Sequence, residues 1–289
     1  MAKIAFIGLG VMGFPMAGHL QAKGHDVTVF NRTKAKAEAW AKRHGGKMAL
    51  TPQAATANAD YVMTCVGNDN DLRQVVRGAD GVFAGMRQGA VLIDHTTASA
   101  TIARELEKEA QKRGFSFIDA PVSGGQAGAE NGQLGIMCGG DPAVFAQAQP
   151  VLDSYAKACV LIGPVGSGQL TKMVNQICIA GLVQGLAEAM NFGQKAGLDM
   201  EKVLSVISKG AAQSWQMENR GKTMCAGRFD FGFAVDWMRK DLGICLDESR
   251  HNGARLPVAG LVDQFYAQLQ ERGHGRWDTS SLMNLLDEP

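Results

Sequence analysis

Apolar residues in the first half of the chain fall into short, nearly unbroken runs. These are Lys3-Ile4-Ala5-Phe6-Ile7, Val27-Thr28-Val29-Phe30, Asp60-Tyr61-Val62-Met63-Thr64-Cys65-Val66, Val91-Leu92-Ile93-Asp94 and Phe115-Ser116-Phe117-Ile118-Asp119. Helical patterns separate them over 15–23, 34–44, from 72 to 76 and over 100–113. Thr33 is placed to cap the second helix and Gly45-Gly46 to stop it, while Thr51-Pro52 opens another short one. Continuous apolar strands alternating with helices predict a doubly wound parallel sheet covered on both faces. Two more strands are read at 136–138 and 159–162, with 142–155 helical between them. The pattern then changes. From 168 to about 196 there is no proline and no turn cluster, so a helix of roughly 40 Å is predicted at about 1.5 Å per residue. Gly181 and Gly185 inside it argue against a coiled coil and for a buried spine joining two domains. Beyond it only helices are read, at 200–209, 215–225, 235–251 and 258–272. The expected domains are therefore 1–164, α/β, and 165–289, all-helical.

Gly8-Leu9-Gly10-Val11-Met12-Gly13 follows the first strand at once and leads into a helix and a second strand. That order turns a G-x-G-x-x-G match into the fingerprint of a Rossmann-type dinucleotide domain. Gly8 lets the chain turn tightly, Gly10 lets a pyrophosphate approach the backbone, and Gly13 lets helix and strand pack closely. The pyrophosphate then meets free N–H groups and the positive end of a helix. An ordinary glycine turn and a signal peptide are the competing readings. Three glycines interrupt the apolar run, and the second strand follows on time. At the end of that strand, where NAD sites carry an acid, stands Asn31-Arg32-Thr33. No carboxylate repels a 2′-phosphate there, and Arg32 can pair with one, which predicts NADP(H) over NAD(H). Asp26 is read as lying before the strand.

Composition changes this picture little. Of 289 residues, 46% are hydrophobic and 20% charged, and the net charge is +1, giving no argument for a nucleic-acid or membrane partner. No run is read as long and apolar enough to span a bilayer, since 173–190 contains Asn175, Gln176, Gln184 and Glu188. The six cysteines are scattered, as for free thiols in a reducing cytoplasm, and no histidine or cysteine spacing suggests a metal.

Ligands of such sheets lie beyond the carboxyl ends of the strands, which nominates Val66-Gly67, Thr96-Thr97 and Ala120-Pro121-Val122-Ser123. Backbone N–H groups after Pro121, with the Ser123 hydroxyl, suit a carboxylate, although a turn bent for packing reads the same way. Lys172, Asn175 and Gln176 stand at i, i+3 and i+4 and share a helical face. A lysine facing a closed pocket can donate a proton; a solvated helix end is the alternative.

With Ile7 to Gly13, Asp119-Ala120-Pro121-Val122-Ser123-Gly124-Gly125, Gly168 through Lys172 to Asn175, and Lys240-Asp241-Leu242, the chain resembles the β-hydroxyacid dehydrogenases over essentially its whole length. That family includes 3-hydroxyisobutyrate dehydrogenase, tartronate semialdehyde reductase and the glyoxylate/succinic semialdehyde reductases. The resemblance implies a Rossmann domain plus a helical domain, a homodimer or homotetramer, and a small carboxylate-bearing substrate. It implies Lys172 as general acid and base, Ser123, Gly124 and Gly125 as the carboxylate clamp, and Asn175 near the reacting oxygen. It also implies that Thr97, Val66 and Gly67 line the cofactor, and that Lys240 reaches nicotinamide and substrate. Phe233, read at i, i+7 with Lys240 on one helical face, would close the pocket. Many members carry two asparagines where this chain has Asn175-Gln176, which opens the role of Gln176. His95 is read as a turn residue. A non-catalytic NADPH-binding sensor or interaction protein is the alternative, but it would need none of Ser123, Lys172 and Asn175. An oxidative decarboxylase of the 6-phosphogluconate type would carry a longer helical domain.

Overall fold

Period-two alternation in the first strand, β1 (Lys3–Ile7), decides how the amino-terminal half packs. All four of its apolar residues are buried. Ile4 and Phe6 join one apolar cluster with Val27, Val29 and Ile93, while Ala5 and Ile7 join a second with Val62, Leu92 and Phe117. A strand that is apolar on both faces belongs inside a sheet with a layer on each side. The computed structural model, which describes residues 1–286, shows that arrangement.

The chain runs from β1 through α1 (Gly13–Ala22), β2 (Asp26–Phe30), α2 (Lys34–His44), β3 (Lys47–Met48) and α3 (Pro52–Thr56). It continues through β4 (Tyr61–Thr64), α4 (Asp69–Arg77), α5 (Val82–Gly85), β5 (Val91–Asp94), α6 (Ala100–Lys112) and β6 (Ser116–Asp119). The order β3-β2-β1-β4-β5-β6 is all parallel, with the crossover between β1 and β4 that marks a doubly wound sheet. Asp26 opens β2 rather than preceding it, and its carboxylate pairs with Lys47 at 2.8 Å. Thr33 sits at the N-cap of α2 without a side-chain cap bond, and Gly45 ends that helix in the left-handed region.

After β6 the sheet departs from the parallel expectation. Pro121 has no N–H to continue a ladder, so the chain breaks at Ala120-Pro121 and resumes as β7 (Val122–Ser123). A short helix, α7 (Gly125–Glu130), then leads to β8 (Leu134–Gly140). The connection 124–133 is shorter than the dozen or so residues that a parallel crossover needs, and β8 runs antiparallel to both β6 and β7. The helix α8 (Pro142–Leu152) brings β9 (Ala156–Gly163) alongside β8 in parallel.

Contacts divide the chain into Met1–Lys172 and Met173–Pro289, a division inside the 29-residue helix α9 (Ser167–Lys195). The second unit continues with α10 (Met200–Ile207), α11 (Trp215–Cys225), α12 (Val235–Asn252), α13 (Pro257–Glu271) and a 3-10 turn, Thr279–Leu286. Its core joins Ala180, Val183 and Met190 of α9 to Met238 and Leu242 of α12 and Val262 and Tyr266 of α13. The expectation about membrane-spanning runs needs correcting. By length and composition α9 qualifies, with a window of mean hydropathy 1.2, of which 44% is buried inside the fold. The same apolarity serves packing, because α9 supplies part of the helical core.

Candidate active site

The glycine loop shows which of its glycines the chain itself requires. Gly8 has φ +101°, and a Cβ there would collide with the Cys65 carbonyl. Around Gly10 a Cβ would meet nothing within 4 Å. No packing within the protein excludes a side chain at Gly10, so its smallness suits a group arriving from outside. No side chain caps α1, whose first turn follows Val11 and Met12. Asn31, at the end of β2, accepts from Leu9 N at 2.9 Å and donates to Thr33 O at 3.0 Å, holding the loop in shape. Arg32 is exposed and pairs with Asp71 at 3.3 Å.

The loops after β4 and β5 are locked to one another and to the start of α9. Asp94, fully buried at the end of β5, accepts from the Thr64 hydroxyl at 2.7 Å and Thr96 N at 3.0 Å. The Thr96 hydroxyl accepts from Val66 N at 3.1 Å, tying the Val66-Gly67 turn to the next loop. Gln169, fully buried on α9, donates to Thr96 O at 2.7 Å and accepts from Ala98 N at 3.0 Å. One side chain thus grips the backbone on both sides of Thr97.

Asp119 joins the 119–125 motif to the helix that bears Lys172. Its two carboxylate oxygens accept from Gly166 N at 2.7 Å and Gln169 N at 2.8 Å, which satisfies backbone donors at the start of α9. Burial pushes the Asp119 carboxyl up to about 6 against the pull of these bonds, and pushes Asp94 up to about 7. Lys172, one turn beyond Gln169, is buried at 9% exposure. Four residues beyond Asp119, Ser123 ends β7, and Gly124 and Gly125 follow with φ +129° and +62° as the N-cap and first residue of α7. Lys172, Ser123, Thr97 and the glycine loop all belong to the first unit.

The remaining candidates lie in the second unit. Asn175 donates through Nδ2 to Gln176 Oε1 at 2.8 Å, and Gln176 donates through Nε2 to Asp241 Oδ2 at 2.5 Å. Lys240 Nζ lies 2.9 Å from Asp241 Oδ1. Asp241 is buried at 2% exposure, with Gln176 against one carboxylate oxygen and Lys240 against the other. Phe233 does not share a helical face with Lys240. It precedes α12, whose N-cap is Ala234, and its N–H donates to Asp278 Oδ2 at 2.9 Å. Asp278, fully buried, also binds Arg220, and these bonds hold the segment outside the helix.

Two results were not legible from local sequence. His95 is buried beyond a turn's needs, bonded to Ala120 O at 2.7 Å and to the Tyr155 hydroxyl at 2.9 Å, and burial lowers its pKa to about 4. It braces the Ala120-Pro121 segment as a neutral ring. Cys138 and Cys159, far apart in sequence, bring their sulfurs to 3.8 Å across β8 and β9. Among the described residues no group of three or more His, Cys, Asp or Glu is placed to hold a metal.

Comparison with known proteins completes the description. Residues 3–163 match the model of the NAD-binding domain of 6-phosphogluconate dehydrogenase. Residues 166–286 match that of the NAD-binding domain of NADP-dependent 3-hydroxyisobutyrate dehydrogenase. An uncharacterised oxidoreductase of Shewanella frigidimarina is 64% identical over 100% of this chain and 99% of that protein. Mitochondrial 3-hydroxyisobutyrate dehydrogenase of Mus musculus is 31% identical over 99% of this chain and 87% of its own. The solved structure of Mycobacterium tuberculosis 3-hydroxyisobutyrate dehydrogenase with L-serine superposes with a TM-score of 0.89, at 32% identity and full coverage of both chains. With its glycine loop, its buried lysine and both family models in sequence, the chain belongs to the 3-hydroxyisobutyrate dehydrogenase family of NAD(P)-dependent β-hydroxyacid oxidoreductases.

Proposed function

We propose that this protein moves a hydride between NADP(H) and a small 3-hydroxy acid, or the corresponding semialdehyde or 2-oxo acid, with Lys172 as general acid and base. One observation carries the reading. Asp119 binds the first turn of α9 while sitting in the same seven-residue motif as Ser123, so the lysine and the carboxylate clamp are referenced to one buried group. The L-serine named with the Mycobacterium tuberculosis relative is itself a carboxylate bearing a 3-hydroxyl, which supports the substrate class.

The residues present fit a dinucleotide. Gly8, Leu9, Gly10, Val11, Met12 and Gly13 would receive its pyrophosphate, with open space at Gly10 and an uncapped α1. Asn31, Arg32 and Thr33 would take the ribose and its 2′-phosphate. The Arg32–Asp71 pair is exposed and worth less than about 1 kcal/mol, so a phosphate can displace it. Val66, Gly67 and Thr97 would line the nicotinamide side. When bound, the reduced nicotinamide supplies the hydride. Ser123, Gly124 and Gly125 hold the substrate carboxylate and fix orientation, which removes part of the entropic barrier. As charge grows on the carbonyl oxygen, Lys172 Nζ gives up a proton; in oxidation it takes one back. Asn175 steadies that oxygen. Gln176, Phe233 and Lys240 complete the substrate side.

In this reading 1–164 is the cofactor domain, and 165–289 serves substrate binding and assembly into a homodimer or homotetramer. Exposed Val174, Leu182 and Phe192 on α9, with Val258 and Leu261 on α13, support self-association in the second unit. The six cysteines, none of them in a disulfide among the described residues, support a reducing cytoplasm. The test is NADPH oxidation with glyoxylate, succinic, tartronate and methylmalonate semialdehydes, run beside the reverse assay with serine and 3-hydroxy acids. Turnover on at least one is expected. Tight NADPH binding without turnover on any would favour a sensor and overturn the proposal.

A further inference from the structure

We infer that Gln176 is a positioning residue: it reads the polarity of the Asp241 carboxylate and passes it to the Asn175 amide, fixing which way that amide points. The inference rests on the role proposed above for Asn175.

An ionised carboxylate only accepts hydrogen bonds. Asp241 Oδ2 therefore requires Nε2 of Gln176, which lies 2.5 Å away. With Nε2 committed, Oε1 faces Asn175 and can only accept, so Asn175 must present Nδ2, and does at 2.8 Å. Flipping either amide would set oxygen against oxygen in a buried place, where an unmade bond carries a full desolvation penalty. Lys240, 2.9 Å from the other Asp241 oxygen, forms an ion pair with the carboxylate and anchors the far end of the relay.

Side-chain length matters as much as polarity. Neighbours on a helix do not face one another, so a bond between residues 175 and 176 needs a side chain long enough to bend back. The same side chain must reach α12, where it also touches Met238 Sδ at 3.8 Å. Glutamine reaches both, and asparagine, one methylene shorter, reaches one. Where family members carry a second asparagine, this chain has a two-ended bridge.

The test first establishes wild-type turnover of a semialdehyde with NADPH; if there is none, the proposed function fails and not this inference. Active-site concentrations are then set by NADPH binding stoichiometry, so that partial misfolding does not count. Gln176→Met keeps length without polarity, and Gln176→Asn keeps polarity without length. Both are expected to lower kcat roughly ten- to hundredfold with the Kd for NADPH unchanged. Gln176→Glu separates positioning from structure. Its carboxyl can still accept from Asn175, but it donates to Asp241 only when the Glu–Asp pair holds a proton. The charged group shown facing that pair is Lys240 on α12. The ratio of kcat for Gln176→Glu to wild type should therefore climb as pH falls from 8 towards 5, by about tenfold or more. Wild-type kcat in Gln176→Met, or a flat ratio for Gln176→Glu, would overturn the inference.

Discussion

Replacing Gln169 with leucine should loosen the loop that carries Thr97 and weaken cofactor binding. Gln169 is fully buried and makes two bonds, 2.7 Å to Thr96 O and 3.0 Å from Ala98 N. Leucine makes neither. Thr96 and Ala98 are themselves buried, so a carbonyl and an N–H would be left without partners. Each such group costs about 1–3 kcal/mol, while the added apolar burial of leucine returns about 1–2 kcal/mol. At the middle of both ranges the net loss is about 2–3 kcal/mol. At about 2–4 °C per kcal/mol for a chain approaching this size, Tm should fall by roughly 4–12 °C. The local readout is sharper: at 1.4 kcal/mol per decade, about 2 kcal/mol means roughly 30-fold faster amide exchange at Ala98. The KM for NADPH should rise several-fold while the KM for the carbonyl substrate changes less. Gln169→Glu should do no better, because it keeps an acceptor for Ala98 but sets an oxygen against Thr96 O. If Gln169→Leu kept wild-type protection at Ala98 and wild-type KM for NADPH, the clamp would not be what holds Thr97.

Three further outcomes are expected. Lys172→Ala should retain NADPH binding and lower kcat by about two to four orders of magnitude; near wild-type turnover would remove Lys172 from the chemistry. Wild type should show a higher kcat/KM with NADPH than with NADH, and Arg32→Ala should narrow that ratio at least several-fold through KM; a preference for NADH would refute the assignment of Arg32. Because the folded-state pKa of His95 is depressed to about 4 from 6.5, the unfolded chain takes up the proton first as pH falls. Above pH 6.5 both states are neutral and the group contributes no pH dependence. Between pH 6.5 and 4 wild type should lose up to about 3 kcal/mol relative to His95→Asn, the contributions of Asp94 and Asp119 being common to both. Denaturant titrations at pH 7 and 4.5 that gave the same wild-type-minus-variant difference would contradict a buried neutral histidine.

The elements that rest on neighbours in sequence were legible without coordinates. β1, β5, α2 and α11 run as their periodicity predicts, because alternation and helical spacing are set within a few residues. The glycine loop, the 119–125 motif and the lysine face of α9 were visible for the same reason: each is a short pattern whose chemistry is local. Other features depended on partners that no local pattern names. Nothing local in sequence marks Gln169, whose partners Thr96 and Ala98 lie some seventy residues away in the chain. Asp119 and Asp241 were seen only as letters in motifs; burial and their partners make one a helix anchor and the other the origin of an amide relay. Spacing placed Phe233 on a helix, and bonds from Asp278, forty-five residues on, hold it off. Sequence alone determined which segments become strands and helices and what chemistry they carry. Tertiary structure decided which buried polar atoms pair, because an unpaired donor or acceptor is costly only once distant segments have removed it from water.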